Sequence, residues 1–309
     1  HSESQESPTF VGQAGFYVRH LWPPNFKRPS SFKGRFIVIQ PWEYGYLPVG
    51  WVDGLQREVD EVWAYSTFVK EAYERSGIPA RKVFVVPCGV EPALFRPDAP
   101  PVPLGTGKGF RFLFVGGAAT SRKGFDILLS AYTKEFGPDE DVCLVVKDYF
   151  YGSVEGEIAR MKGSGRCPEI LYYYEDVPFE RIPGFYTACH ALVHPYRAEG
   201  FGLPILEAMA SGLPVIVTGF GACLDYCNSE NAYLIPARVV GFPEARVGEV
   251  ATVDIPFWAE PEESELRQLM RRVFENRSEA RQKGLAARRD VLANYTWEHA
   301  VDRALKRLS

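Results

Sequence analysis

No stretch of this chain approaches the ~18 consecutive apolar residues that a membrane-spanning helix requires, and no basic region followed by an apolar core opens it. The sequence starts at His1 without Met, which leaves a tag, a processing event or a truncation open. Excess charge of either sign is also missing. The net charge is −4, so no bulk electrostatic pull draws nucleic acid or anionic lipid, and any bound anion must be held by local groups. Paired cysteines are absent too. Cys88, Cys143, Cys167, Cys189, Cys223 and Cys227 stand singly, mostly in apolar strand-like or helical contexts, which suits reduced thiols and a cytoplasmic setting better than a disulfide framework. Cys223 and Cys227 are four residues apart but have no second Cys or His pair nearby, so no zinc site is expected. There is no low-complexity segment. What remains is an ordinary globular chain of 309 residues, 46% hydrophobic and 24% charged, long enough for about two domains.

Short apolar runs alternate with helical patterns along that chain. Residues 35–39, 61–65 and 82–87 read as buried strands, and a helix over 67–76 is stopped by Gly77. The stretch 99–109 is rich in Pro and Gly and is the expected linker, separating residues 1–98 from 110–309. Beyond it, strands at 110–115, 142–146, 170–173, 191–193, 215–217 and 232–235 alternate with helices near 126–136, 156–163, 183–189 and 204–210. Nearly continuous apolar strands alternating with helices predict a parallel sheet covered on both faces. The tail from Glu262 to Leu308 reads as helical, with breaks near Asn276 and Tyr295. The expected fold is α/β, with two Rossmann-like domains facing a cleft and the first domain shortened. Ligands of such sheets sit at the carboxyl ends of the strands.

Two loops there carry candidate chemistry. Gly116-Gly117-Ala-Ala-Thr-Ser-Arg122-Lys123-Gly124 turns from a strand into a helix. Its glycines allow close backbone approach, the helix start offers N–H groups and two cations supply charge, a suitable cradle for phosphate. It is neither a GxxxxGK[ST] loop nor a GxGxxG turn. The alternative is a plain βα turn with two solvated cations. The second loop runs Glu199-Gly200-Phe201-Gly202-Leu203-Pro204-Ile-Leu-Glu207. Two carboxylates at a strand's carboxyl end can accept hydrogen bonds from sugar or ribose hydroxyls, and the N–H groups of Phe201, Gly202 and Leu203 can meet a phosphate. The alternative is a pair of acidic residues that merely stabilise a helix start. His190 and His194 flank an apolar strand and make no metal pair. Trp22, Trp42 and Trp51 either line a groove or pack in the core.

The second loop resembles the E-x7-E signature of retaining family 4 glycosyltransferases, which have the GT-B fold. The turn at Lys123-Gly124 resembles that family's diphosphate loop, and residues 62–66, 76–77 and 85–91 resemble its stretch before the linker. The likeness runs from about residue 35 to the end. It implies a transferase that takes a sugar, with retention at the anomeric carbon, from a UDP- or GDP-type nucleotide sugar, without cofactor or metal. Gly116, Gly117 and Lys123, with Arg122 beside it, would face the diphosphate. Glu199 would hold hydroxyls of the transferred sugar, with backbone from Gly200 to Leu203 near sugar and phosphate. Glu207 would hold the ribose, and Asp176 and Val177 would lie near the base. The acceptor, whether a sugar, a lipid or a small molecule, is not specified.

Three features depart from the family pattern. Gly117 stands where the family has an arginine, in a turn one residue longer. Gln40-Pro41-Trp42-Glu43 replaces a stretch that often holds a histidine, leaving His20 or Glu43 to face the sugar. No glycine-rich βα unit precedes His20. The rival expectation is therefore a catalytically impaired or fragmentary nucleotide-sugar-binding protein that needs a partner or a missing segment to complete its first domain. A phosphorylase or an epimerase on the same two-domain plan is a third.

Overall fold

In a computed structural model, residues 15–149, 152–163, 165 and 167–309 are described below. The chain divides into two compact units. The first comprises residues up to Pro87 together with Gly241–Phe257 and Asp302–Ser309, and the second comprises Cys88–Val240 and Trp258–Val301.

The first unit is built on four parallel strands in consecutive order, β1 (Phe16–Arg19), β2 (Arg35–Ile39), β3 (Glu61–Ala64) and β4 (Val83–Val85). Helices α1 (Val49–Arg57) and α2 (Thr67–Arg75) connect them. Ser66 caps α2 by accepting the Val69 N–H at 3.3 Å, and Gly77, at φ +84°, lets the chain leave it. Ile37, Trp63 and Val86 form a small core. The later returns are tied in by named bonds. Val253 N–H donates to Leu47 O at 2.9 Å, and Arg307 reaches Glu61 at 2.9 Å. Trp42 meets Trp51 edge-on at 5.2 Å and Phe26 packs on Trp51 at 5.5 Å, so these two indoles serve packing; Trp22 stays 74% exposed.

The second unit holds six strands, β5 (Phe110–Gly116), β6 (Val142–Asp148), β7 (Glu169–Tyr173), β8 (Ala191–His194), β9 (Val215–Thr218) and β10 (Tyr233–Ile235). All are parallel and lie in the order β7-β6-β5-β8-β9-β10. Counted within this unit, that is the doubly wound order 3-2-1-4-5-6, whose direction reverses between its first and fourth strands, here β5 and β8. Helices α3 (Phe125–Glu135), α4 (Glu155–Gly163), α5 (Pro183–Ala188) and α6 (Leu203–Ala210) follow successive strands. Two short pairings complete the strands of the chain: β11 (Ala237–Gly241) with β14 (Phe257–Pro261), and, within the Gly241–Phe257 segment of the first unit, β12 (Arg246–Val247) with β13 (Val250–Ala251). The tail is three helices, α7 (Glu263–Glu275), α8 (Arg277–Asn294) and α9 (Trp297–Leu308), interrupted at Asn276 and Tyr295 as the sequence suggested. The core joins the apolar face of β5, β6 and β8 to α3 and α7 through Phe112, Phe114, Leu128, Tyr132, Leu266 and Met270.

Three features differ from the sequence reading. The expected linker, 99–109, lies inside the second unit, because its backbone is bonded along that unit's edge. Val102 N–H donates to Gly184 O at 3.0 Å, and Thr106 reaches the Glu169 carboxylate at 2.9 Å. Pro and Gly there mark a strap and not a free connection. A strand precedes His20: β1 pairs with β2 from Phe16↔Arg35 to Arg19↔Val38. Helix α1 was also unforeseen, because Gly50 and Gly54 break up its helical pattern.

Candidate functional site

The reversal between β5 and β8 leaves a gap between the loops that follow them, and the charged residues of the sequence motifs converge there. β5 ends at Gly116. A tight turn and a single 3-10 segment, Ser121–Lys123, lead to Gly124 at φ +68° and then to α3. A Cβ at Gly124 would lie 1.9 Å from the Pro195 carbonyl oxygen, so the crossing of the two loops requires glycine there. The contact brings residues 121–123 against residues 195–199. Arg197 N–H donates to Arg122 O at 2.7 Å, and Ala198 N–H shares the same acceptor at 3.2 Å.

Within that crossing, Lys123 Nζ forms an ion pair with Glu199 Oε2, and Arg122 Nη1 lies 3.8 Å from the same oxygen. Glu199 is 8% exposed. Burial alone would push its carboxyl up, but Lys123, Arg122 and His194 outweigh it and hold it at about 2. The site therefore carries a buried, ionised carboxylate against two cations that are themselves largely covered. Arg197 keeps the crossing rigid. Its guanidinium donates to both Asp126 oxygens at 2.8 and 2.7 Å, to both Glu260 oxygens at 2.7 and 2.9 Å, and to Ser121 O at 2.7 Å.

The rest of the second motif continues from Glu199 into α6. Gly200, Phe201 and Gly202 are buried, and the Tyr226 hydroxyl lies 2.7 Å from Phe201 O and 3.1 Å from Gly202 O. Leu203 starts α6 and is 38% exposed. Glu207, one turn on and half-buried, accepts the Tyr186 hydroxyl at 2.6 Å. Burial raises its carboxyl to about 7, with the Tyr186 hydrogen bond pulling the other way. Tyr149 lies close enough to Glu207 to feel its charge, and its N–H donates to Gly116 O at 3.3 Å.

Asp148 and Lys147 anchor the neighbouring loops. Fully buried Asp148 accepts the Ala118 N–H at 3.0 Å, the Ser153 hydroxyl at 2.7 Å and the Tyr172 hydroxyl at 2.6 Å. Lys147 Nζ donates to the carbonyls of Asp148 at 2.9 Å and Glu175 at 3.1 Å. Exposed Asp176 acts electrostatically on Lys147, and half-buried Val177 follows it.

Of the residues singled out from sequence, Lys123 and Glu199 are brought into direct contact and Arg122 stands 3.8 Å from the same carboxylate oxygen, with Gly116 and Gly117 opening the turn that carries the two cations. Glu207 sits on the adjoining helix, and Asp176 and Val177 lie in the loop held by Lys147. Sequence reasoning did not find Arg197, whose partners lie 71 and 63 residues away. Nor did it find Tyr186 as the partner of Glu207, or the buried state of His194. In the first unit, His20 lies edge-on to Tyr65. The Cys223 thiol packs against the Tyr196 hydroxyl at 2.9 Å, and Cys227 packs against Met209 at 3.6 Å. Among the described residues, no group of three or more His, Cys, Asp or Glu is arranged to hold a metal, and no helix is long and apolar enough to cross a membrane.

Residues 109–246 match the family model for glycosyl transferases group 1. That match begins just before β5 and takes in both loops of the crossing and α6. The chain is 26% identical over 225 residues to a D-inositol 3-phosphate glycosyltransferase of Arthrobacter sp. (strain FB24), covering 68% of this chain and 52% of that protein. It is 27% identical over 263 residues to an MMP alpha-(1->4)-mannosyltransferase of Mycolicibacterium hassiacum, covering 84% of this chain and 56% of the relative. The chain thus spans about half the length of these curated relatives. Among solved structures, Anabaena Alr3699/HepE in complex with UDP and glucose superimposes with a TM-score of 0.67 at 17% identity, over 89% of this chain and 72% of that one. A glycosyltransferase from Rickettsia africae gives 0.68 at 19%, over 89% and 70%. The fold is that of these glycosyltransferases, the GT-B type with two Rossmann-like domains.

Proposed function

We propose that this chain is a retaining glycosyltransferase that takes its sugar from a UDP- or GDP-sugar and binds that donor on the second unit. The observation that carries the proposal is the buried Lys123–Glu199 pair at the reversal of the β5/β8 strand order. The pair and the neighbouring Arg122 have the chemistry that suits a sugar diphosphate. Lys123 turns from Glu199 to the departing diphosphate, with Arg122 and the backbone of Gly116 and Gly117 around it. Glu199, released from the ammonium, accepts hydroxyls of the transferred sugar, and the backbone from Gly200 to Leu203 lies beside sugar and phosphate. Glu207 accepts the ribose hydroxyls, and the loop at Asp176 and Val177 borders the base. Charge developing on the leaving diphosphate is met by side-chain cations and N–H groups, so the reaction proceeds without a metal or an organic cofactor. The acceptor is a sugar, lipid or small molecule, and the setting is cytoplasmic.

The relatives' names favour this reading over a phosphorylase or an epimerase, since both name transfer of a sugar to an acceptor. The test is calorimetric titration with UDP, GDP, UDP-glucose and GDP-mannose, followed by anomeric analysis of the product made with the donor that binds. Binding of one nucleotide series and an unchanged anomeric configuration are expected. Binding of none of the four, or an inverted product, would refute the proposal.

A further inference from the structure

One buried group near the crossing has no role in that reading. His194 ends β8 entirely out of solvent, and neither of its ring nitrogens has a hydrogen-bond partner. The ring stacks on Phe114 at 5.5 Å and 18° and meets Tyr196 edge-on at 5.9 Å. Its Nε2 faces the start of the diphosphate turn: a Cβ at Gly116 would lie 3.7 Å from that nitrogen. A neutral imidazole brings one N–H donor and one acceptor. Burying both unpaired costs free energy that an apolar side chain in the same slot would not incur. Packing against Phe114 therefore gives no reason for histidine. The charges that act on the ring are Lys123, Glu199 and Arg122. Burial, reinforced by Lys123 and Arg122 and opposed by Glu199, keeps it neutral, at about 3.

We propose that His194 is a positioning residue for the Lys123–Glu199 pair, holding in reserve the N–H that Glu199 takes up when Lys123 moves to a diphosphate. The inference rests on the reading of Lys123 and Glu199 given above. Glu199 is 8% exposed, so opening the pair removes the charged donor of a buried carboxylate and leaves it only the neutral hydroxyls of the sugar, which is unfavourable unless a further donor is at hand. Arg122, at 3.8 Å, is beyond hydrogen-bonding distance of the carboxylate oxygen. A neutral N–H in the same interior supplies the missing bond without adding a second full charge that would hold Glu199 away from a sugar. An apolar residue would act oppositely. It would lower the local polarity, strengthen the closed pair and make Lys123 harder to release.

The experiment compares the wild type with His194→Leu and His194→Gln, by thermal unfolding without ligand and by calorimetry with UDP-glucose and GDP-mannose. His194→Leu is expected to raise Tm by a few degrees, since two unpaired polar atoms leave the core. It should at the same time weaken binding of the donor by ~10-fold. His194→Gln, which keeps an N–H, should bind within ~3-fold of wild type. Added to Lys123→Ala, His194→Leu should weaken binding no further, because no ammonium remains to be released. Unchanged donor affinity in His194→Leu, a lower Tm, or a loss that adds in full to that of Lys123→Ala would each overturn the proposal. Should the wild type bind neither donor, or should Lys123→Ala bind like the wild type, the site reading itself fails, whatever His194 does.

Discussion

Lys123 and Glu199, 76 residues apart in sequence, close on each other where β5 and β8 diverge, and the carboxylate they bury is fully ionised. The pair stores in the unliganded protein the two charges that a sugar diphosphate would separate. A carboxyl whose folded pKa lies below its unfolded value adds stability that is whole above the unfolded pKa and is lost as the pH falls through the folded one. For Glu199 the window runs from 4.5 down to about 2. The shift corresponds to on the order of 3 kcal/mol.

Glu199→Gln should therefore unfold at lower temperature than wild type at pH 7, with the difference shrinking as the pH is taken below about 4. It should still bind free nucleoside diphosphate at least as well as wild type, because Lys123 is no longer held, while sugar transfer collapses. Differential scanning calorimetry and titration with UDP and GDP check both parts. A parallel loss of diphosphate affinity and transfer would contradict this division between the two residues.

Glu207 should give donor binding a pH dependence of defined sign. Burial lifts its carboxyl from 4.5 to about 7, so in the free protein it is partly protonated at neutral pH and its charging costs stability as the pH rises through that range. In the proposed site ribose hydroxyls would donate to the charged form, so binding should expel the proton. Affinity for a nucleotide sugar, whose diphosphate does not titrate there, should rise with pH by up to ~10-fold per unit below about 7 and level off above it. Glu207→Gln should bind more weakly, by roughly 1.5–3 kcal/mol for each charge-assisted bond lost, with no such slope. Tyr186→Phe removes the hydrogen bond that lowers this pKa and should move the break to higher pH. Titrations in two buffers of different ionisation enthalpy measure the released proton.

How much of this could be read from sequence depends on whether the signal was local. The second sheet was legible because Phe112–Val115, Val142–Val146 and Ala191–Val193 are apolar without interruption and alternate with helices. Glu199 and Glu207 stood out because an acidic, glycine-rich loop after a strand has few structural uses. The first unit was less legible. Phe16–Arg19 is only four residues long, and the pairing with Arg35–Val38 that makes it a strand is not local. The strap at 99–109 has linker composition, and it is bonds to distant residues, those to Gly184 and Glu169 among them, that fix it to the second unit. Arg197 reads as an ordinary loop cation until the fold brings Asp126 and Glu260 to it. His194 looks like any histidine at a strand end, because the missing hydrogen bonds that distinguish it appear only in three dimensions.

Arg197 should behave as a structural clamp with a functional consequence. It is 8% exposed and bonds two carboxylates and the Ser121 carbonyl, so Arg197→Ala leaves Asp126, Glu260 and the 121–123 segment without a common partner. A loss of about 3 kcal/mol in denaturant unfolding is expected, together with reduced turnover, because the 121–123 segment that carries Lys123 and Arg122 loses its anchor. Arg197→Lys should recover little, since an ammonium cannot serve two carboxylates in the forked geometry. Full stability in Arg197→Lys would show that charge alone suffices.

The two neighbouring cations should separate in kinetics. Lys123 is paired with Glu199 by contact, and Arg122 stands 3.8 Å off with its backbone oxygen already engaged by Arg197 and Ala198. As the bond from sugar to diphosphate breaks, negative charge grows on the leaving oxygens, and a cation already ordered at that point lowers the barrier without reorganisation cost. The net charge of −4 offers no long-range help, so in the proposed reaction the local contact would carry the effect. Removing one preorganised contact of this kind costs ~10²–10³-fold in turnover. Lys123→Ala should show that loss together with weaker donor binding, Arg122→Ala a smaller one, and both the wild type and Arg122→Ala should keep their activity in excess chelator. Equal small effects of the two substitutions, or activity that returns only with Mg²⁺, would replace the side-chain cations with a metal as the stabiliser of the leaving group.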